Sequence, residues 1–126
     1  MTKPNLEYIK YKEIARALIY AKLYKYNTIY SLKKNEDMNE HFFKYNRVAI
    51  RDQSSRWGSC SSKANLNFNY RLVLLSERQS DYIVVHELCH LKEMNHSSKF
   101  WDLVEQGIPD YKNIRSEIKK IDMRKL

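Results

Sequence analysis

The sequence predicts an α+β fold: an N-terminal helix, a three-stranded and mainly antiparallel sheet, a central helix and C-terminal helices. Three observations predict it. Apolar residues recur at near-helical spacing between residues 5 and 33, with no glycine or proline inside; between residues 48 and 71 the period falls to two; from there to the end it is helical again. At 126 residues, 43% hydrophobic and 13% aromatic, the chain can bury one modest core and not two, so a single domain over 1–126 is expected.

The first helix rests on Leu6, Ile9, Ile14, Leu18, Ala21 and Leu23, and Asn5 stands where its N-cap belongs. Asn35 to Asn39 form a polar break. Val48 and Ile50 alternate with Ala49 and Arg51 in a first strand, Arg56 to Ser61 make a second, and Leu66, Phe68 and Tyr70 alternate with Asn67, Asn69 and Arg71 in a third. Gly58 is one of only two glycines, and inside a strand it signals a bulge or a close backbone approach. Ser76 followed by Gln79 has the form of a capping box, so the central helix starts near Glu77; it is expected to run to about Met94. Its Ile83, Val84, Leu88, Cys89 and Leu91 give it apolar surface on most sides. Ser97 opens a further helix carrying Phe100, Trp101 and Val104, which Gly107 ends. Pro109 suits the first turn of the last helix, where Ile114, Ile118 and Ile121 form the stripe.

A formal charge of +8 admits nucleic acid or acidic partners. The lysines are scattered, however, from Lys3 to Lys34 and again from Lys112 to Lys125, which reads as solvated helix faces. No apolar run is long enough to span a bilayer, and Met1-Thr2-Lys3-Pro4 lacks the hydrophobic region of a signal peptide, so a cytoplasmic protein with no membrane partner is expected. Cys60 and Cys89 are too few for a disulfide framework and are expected reduced and buried.

The most informative stretch is His86-Glu87-Leu88-Cys89-His90. On a helix of 3.6 residues per turn, His86 and His90 project from one face about a turn apart, so two imidazole nitrogens can meet on one ion at roughly 2.0 to 2.1 Å. Glu87 lies within reach of a water on that ion without being needed as a ligand. A catalytic zinc usually takes three protein ligands and leaves a fourth position open. His96 supplies the third, but it follows His90 by six residues, and a continuous helix would carry it about 240° round the axis. The helix must therefore stop first, and a reversal at Met94-Asn95 is expected, because Asn enters the left-handed region readily. Glu105, on the next helix, is the rival third ligand. Three of the only four histidines fall in this short stretch; His41 is read as a surface or satisfied-core residue.

Arg56-Trp57-Gly58-Ser59-Cys60, Asn69-Tyr70-Arg71-Leu72, Asp81 to Leu91, Asn95-His96-Ser97 with Phe100-Trp101, and Pro109-Asp110-Tyr111-Lys112 together resemble the signature blocks of the YgjP-like metallopeptidases. The match in order and spacing runs from about Asn46 to Ile121, and the helix before it also fits. The resemblance implies a compact zincin domain related to the SprT and WLM groups and to minimal soluble gluzincin-like peptidases. It carries zinc binding over to His86, His90 and His96, and the base role to Glu87. Many members carry a longer N-terminal part, so one is expected to be missing here. The histidine spacing also equals that of metzincins, but Glu93 stands where those have their turn glycine.

The expected activity is that of a zinc metalloendopeptidase, with one Zn2+ per chain, kept latent by its own termini or by self-association. Its partners would be protein or peptide substrates. The strand before the central helix is expected to take an extended substrate by strand addition, with Asn67, Asn69 and Arg71 contributing, and Tyr111 or Arg71 stabilising the transition state. Trp57 and Arg56 are read as scaffold. The alternative is a DNA-associated SprT-like protease or a basic nucleic-acid-binding zinc domain, and a structural zinc protein is a third reading.

Overall fold

Asn5 starts the first helix by accepting the backbone N–H groups of Glu7 at 3.0 Å and Tyr8 at 3.3 Å. This helix, α1, runs over Leu6–Lys33 and is about 42 Å long. The computed structural model describes residues 5–34 and 41–126, so the polar break expected at Asn35 to Asn39 lies outside it, as does the start at Met1 to Pro4. The buried face of α1 differs from the aliphatic stripe read from the sequence. Leu6, Ile9 and Ile14 are 76%, 60% and 56% exposed, whereas Ala15, Ile19, Leu23, Tyr26 and Tyr30 are buried, and Tyr8 and Tyr11 extend that face towards the N-terminus. Tyrosine is the reason: its ring fills a core if its hydroxyl finds a partner. Tyr8 donates to the Ile50 carbonyl at 3.1 Å and Tyr30 to that of Leu103 at 2.6 Å.

Three strands follow, β1 (Arg47–Arg51), β2 (Gly58–Cys60) and β3 (Asn65–Asn69), in the order β1-β3-β2. The sheet is mixed, not mainly antiparallel: β1 pairs parallel with β3 over five positions, and β2 pairs antiparallel with β3 over three. A tight hairpin through Ala64, at φ 62°, forces the second pairing, while β1 takes the other edge of β3. Period-two alternation specifies strands but not their neighbours. Leu66, Phe68 and Ile50 point into the core. After β3 a 3₁₀ turn, Tyr70–Leu74, leads to α2 (Glu77–His90), then α3 (Ser98–Gly107) and α4 (Tyr111–Lys119).

The capping box forms as the sequence requires: Gln79 N–H donates to the Ser76 hydroxyl at 3.2 Å, and Ser76 N–H to the Gln79 side chain at 3.1 Å. Most of α2 is buried. It is tied to α1 by an ion pair taken out of solvent, Lys22 with Asp81, which are 5% and 8% exposed, and Tyr26 donates to the same carboxylate at 2.9 Å. Gly107 is the last residue of α3 and has no left-handed conformation; a Cβ there would lie 2.6 Å from the Tyr30 hydroxyl, so its role is close packing against α1. Pro109 sits just before Asp110, the N-cap of α4. Among the described residues no helix is long and apolar enough to cross a membrane.

Candidate metal centre

α2 ends at His90, four residues short of the expected Met94. Its last turn tightens, with Leu91 N–H on the Leu88 carbonyl at 3.0 Å and both Lys92 and Glu93 N–H groups on that of Cys89 at 3.0 and 2.9 Å. His90 Nδ1 lies 3.0 Å from the Glu93 carbonyl and fastens the turn to the helix. The left-handed Asn95 expected from the sequence is absent: Ala64 is the one non-glycine with positive φ among the described residues. The reversal is instead spread over Leu91 to Asn95 in ordinary backbone conformations. Ser97 then caps α3 by accepting the Phe100 N–H, and His96 is returned to α2.

The three Nε2 atoms of His86, His90 and His96 converge. His90 lies 3.2 Å from His86 and 3.0 Å from His96, and His96 lies 3.3 Å from His86. Tetrahedral ligands at about 2.0–2.1 Å from one ion would stand about 3.3 Å apart, so the spacing fits one small cation. Because His90 gives its Nδ1 hydrogen to a carbonyl, its Nε2 presents a lone pair to the other two rings, an arrangement a cation would satisfy. Burial, then His90 and His96, push His86 down to about 3, and burial also lowers His90, so both are neutral and ready to ligate at pH 7. No other group of side chains with metal-ligating spacing occurs among the described residues. Glu105 is exposed on α3 and outside this cluster, and His41 is exposed elsewhere.

Aromatic rings set the imidazoles. Phe100 stacks on His90 with centroids 4.4 Å apart, Trp101 on His96 at 5.7 Å, and Tyr111 on Trp101 at 5.2 Å. Tyr111, expected to stabilise the transition state or to contact substrate, is a buried layer behind Trp101 and His96. The Tyr82 hydroxyl, one turn before His86, lies 3.2 Å from its Nδ1, so Nδ1 can donate to it while Nε2 faces the centre. Tyr82 is not among the site residues expected from the sequence, although it stands four residues before His86 on the same helix face.

Glu87 is 6% exposed beside the histidines. Burial raises its carboxyl to about 8, with Arg56 pulling slightly the other way. Gly58 allows this placement, since a Cβ on it would lie 3.0 Å from Glu87 Cγ and 3.2 Å from the Asn67 carbonyl. This is the close approach the sequence suggested, and Trp57 packs beside it against the core. A hollow of about 280 Å³ over the centre is lined by β2, the three histidines, Glu87 and Met94.

The remaining expected substrate contacts lie elsewhere. Asn69 is fully buried and structural: its amide donates to the carbonyls of Gln53 at 2.7 Å and Arg56 at 3.0 Å, and its oxygen accepts Arg71 N–H. Arg71 is held by Asp52 at 3.0 Å and by the Gln53 carbonyl at 2.8 Å, and Asn67 accepts from Arg51 at 3.2 Å. None of them lines the hollow. Strand β3 is paired on both sides and cannot add a substrate; the open edge beside the centre is β2.

The model of the YgjP-like metallopeptidase domain matches residues 5–121. The fold is similar to the crystal structure of the metallopeptidase zymogen of Pyrococcus abyssi abylysin, with 24% identity, TM-score 0.56, 82% of this chain and 90% of that one covered. It is also similar to that of Methanocaldococcus jannaschii jannalysin, with 25% identity, TM-score 0.55, 81% of this chain and 94% of that one covered. No curated protein matches the sequence.

Proposed function

This chain belongs to the YgjP-like metallopeptidase family, and on that premise we propose that it is a zinc-dependent endopeptidase acting on protein or peptide substrates. The observation that carries this reading is the convergence of three imidazole Nε2 atoms within 3.0 to 3.3 Å of one another beside a buried carboxyl. His86, His90 and His96 would hold the ion, which when bound would lower the pKa of a water towards about 7 and polarise the scissile carbonyl. Glu87 takes the proton of the attacking water and passes it to the leaving amine. Its position beside the three histidines, lining the same hollow, puts the carboxyl where it can exchange a proton with such a water.

An extended substrate fits the free edge of β2 by strand addition, in place of the edge of β3 expected from the sequence. Cys60 shares the hollow, but its thiol is outside the group of side chains with metal-ligating spacing. Both cysteines are free, which fits a reducing compartment such as the cytoplasm.

Glu87→Gln separates the two roles at the centre. It is expected to keep one zinc per chain and to lose at least about 100-fold in casein turnover, whereas His86→Ala loses the metal as well. Undiminished turnover in Glu87→Gln would overturn the assignment.

A further inference from the structure

The cleft continues past Glu87 on the side away from Met94. A second hollow, of about 200 Å³, shares Gly58, His86 and Glu87 with the first, and its floor is Trp57, Ile83 and Ile118. The two hollows differ in charge: the Met94 side has no lysine or arginine, while the Trp57 side has Arg115 and Lys119, one turn apart on α4. Neither forms an ion pair with any described residue. Asp110 and Glu117 are both engaged by Arg78, and Glu87, the one acid lining this hollow, forms no ion pair with Arg115 or Lys119. Arg115 is also held in place, its guanidinium 5.0 Å from the centroid of Trp101, the ring that stacks on His96. An exposed guanidinium resting against Trp101, over an apolar floor and beside the histidines, has the chemistry to receive a carboxylate.

We propose that this hollow is a carboxylate-binding subsite of the cleft, with Arg115 as the specificity-determining residue and Lys119 in support. The inference rests on the peptidase reading. Strand β2 runs from Gly58 to Cys60, so a substrate pairing antiparallel with it passes from the Cys60 end to the Trp57 end. In that pairing the carboxylate belongs to the C-terminal side of the scissile bond. It is either an Asp or Glu side chain there or the terminal carboxylate of a short peptide.

Three peptides distinguish these sources: acetyl-Ala-Ala-Gln-Ala amide, acetyl-Ala-Ala-Glu-Ala amide, and the Gln peptide with a free C-terminus. Binding to zinc-loaded Glu87→Gln protein can be followed by tryptophan fluorescence, since Trp57 lines the hollow and Trp101 lies under Arg115. At least one carboxylate peptide is expected to bind about tenfold tighter than the neutral amide, one charge-assisted contact being worth about that much. Arg115→Gln should remove most of the preference, and Lys112→Gln, on α4 but outside both hollows, should leave it intact. A preference for the Glu amide identifies the side chain, and one for the free acid identifies the terminus. Equal binding of all three overturns the inference, as does a carboxylate preference that survives Arg115→Gln, which would assign the anion to the metal. Cleavage of a random peptide library by the zinc-loaded wild type is the second arm. Turnover without acidic preference sinks this inference alone, while absence of turnover with the binding preference intact sinks the peptidase reading alone.

Discussion

Glu87 and His86 are neighbours whose proton affinities burial drives in opposite directions, and the metal-free protein should report both. Glu87 is raised from 4.5 to about 8, so the stability it contributes is complete below pH 4.5 and is lost as pH rises through 8. His86 is lowered from 6.5 to about 3, so its contribution is present above pH 6.5 and is lost as pH falls through 3. Between pH 4.5 and 6.5 the slopes of these two oppose each other, and His90, which burial also lowers, adds to the acid limb. Urea denaturation in EDTA is therefore expected to show an alkaline limb above pH 6.5, with a slope of up to about 1.4 kcal/mol per pH unit. Glu87→Gln should flatten that limb and spare the acid one; an alkaline limb unchanged in the variant would mean that the carboxyl is not held as described. Both residues were legible in the sequence because helix spacing fixes which side chains share a face. The substrate contacts were not: Asn69 and Arg71 alternate like an exposed strand face, yet Asn69 is consumed by backbone carbonyls and Arg71 by Asp52.

At the scale of elements, the short-range signals held and the pairing signals did not. Asn5, Ser76 with Gln79, and Ser97 all cap the helices they were expected to cap, because a cap is a contact between residues a few positions apart. Strand order depends on contacts distant in sequence, so the parallel β1–β3 pair was invisible. The end of α2 lay between these cases. Its reversal was expected of a left-handed Asn95, but the turn is held by the Cys89 carbonyl and by His90 on the Glu93 carbonyl. Asn95→Val is therefore expected to leave zinc affinity within about threefold of wild type, since a β-branched residue is penalised only at positive φ. A tenfold loss in competition with a chelator would return the left-handed turn to the account.

For the molecule as a whole, the site depends on α2 being held against α1, and the buried Lys22–Asp81 pair is a principal tie. Asp81→Asn would strand an ammonium in the core, with an expected cost of about 3–5 kcal/mol by urea denaturation. Lys25→Gln, on a half-exposed partner of the same carboxylate, should cost under about 1 kcal/mol. Equal costs would show that solvent reaches the pair. The aliphatic stripe expected of α1 holds at Leu23 but not at Leu6, Ile9 or Ile14, because tyrosines share its buried face with Ala15, Ile19 and Leu23 and only the packed molecule shows where their hydroxyls go. The central claim is that the three histidines hold one zinc beside Glu87. Diffraction from zinc-loaded crystals on either side of the zinc absorption edge tests it most directly. One anomalous peak per chain is predicted, about 2.0–2.1 Å from Nε2 of each of His86, His90 and His96. A peak on Glu105 or Cys60 instead, or one more than about 4 Å from His96, would contradict it.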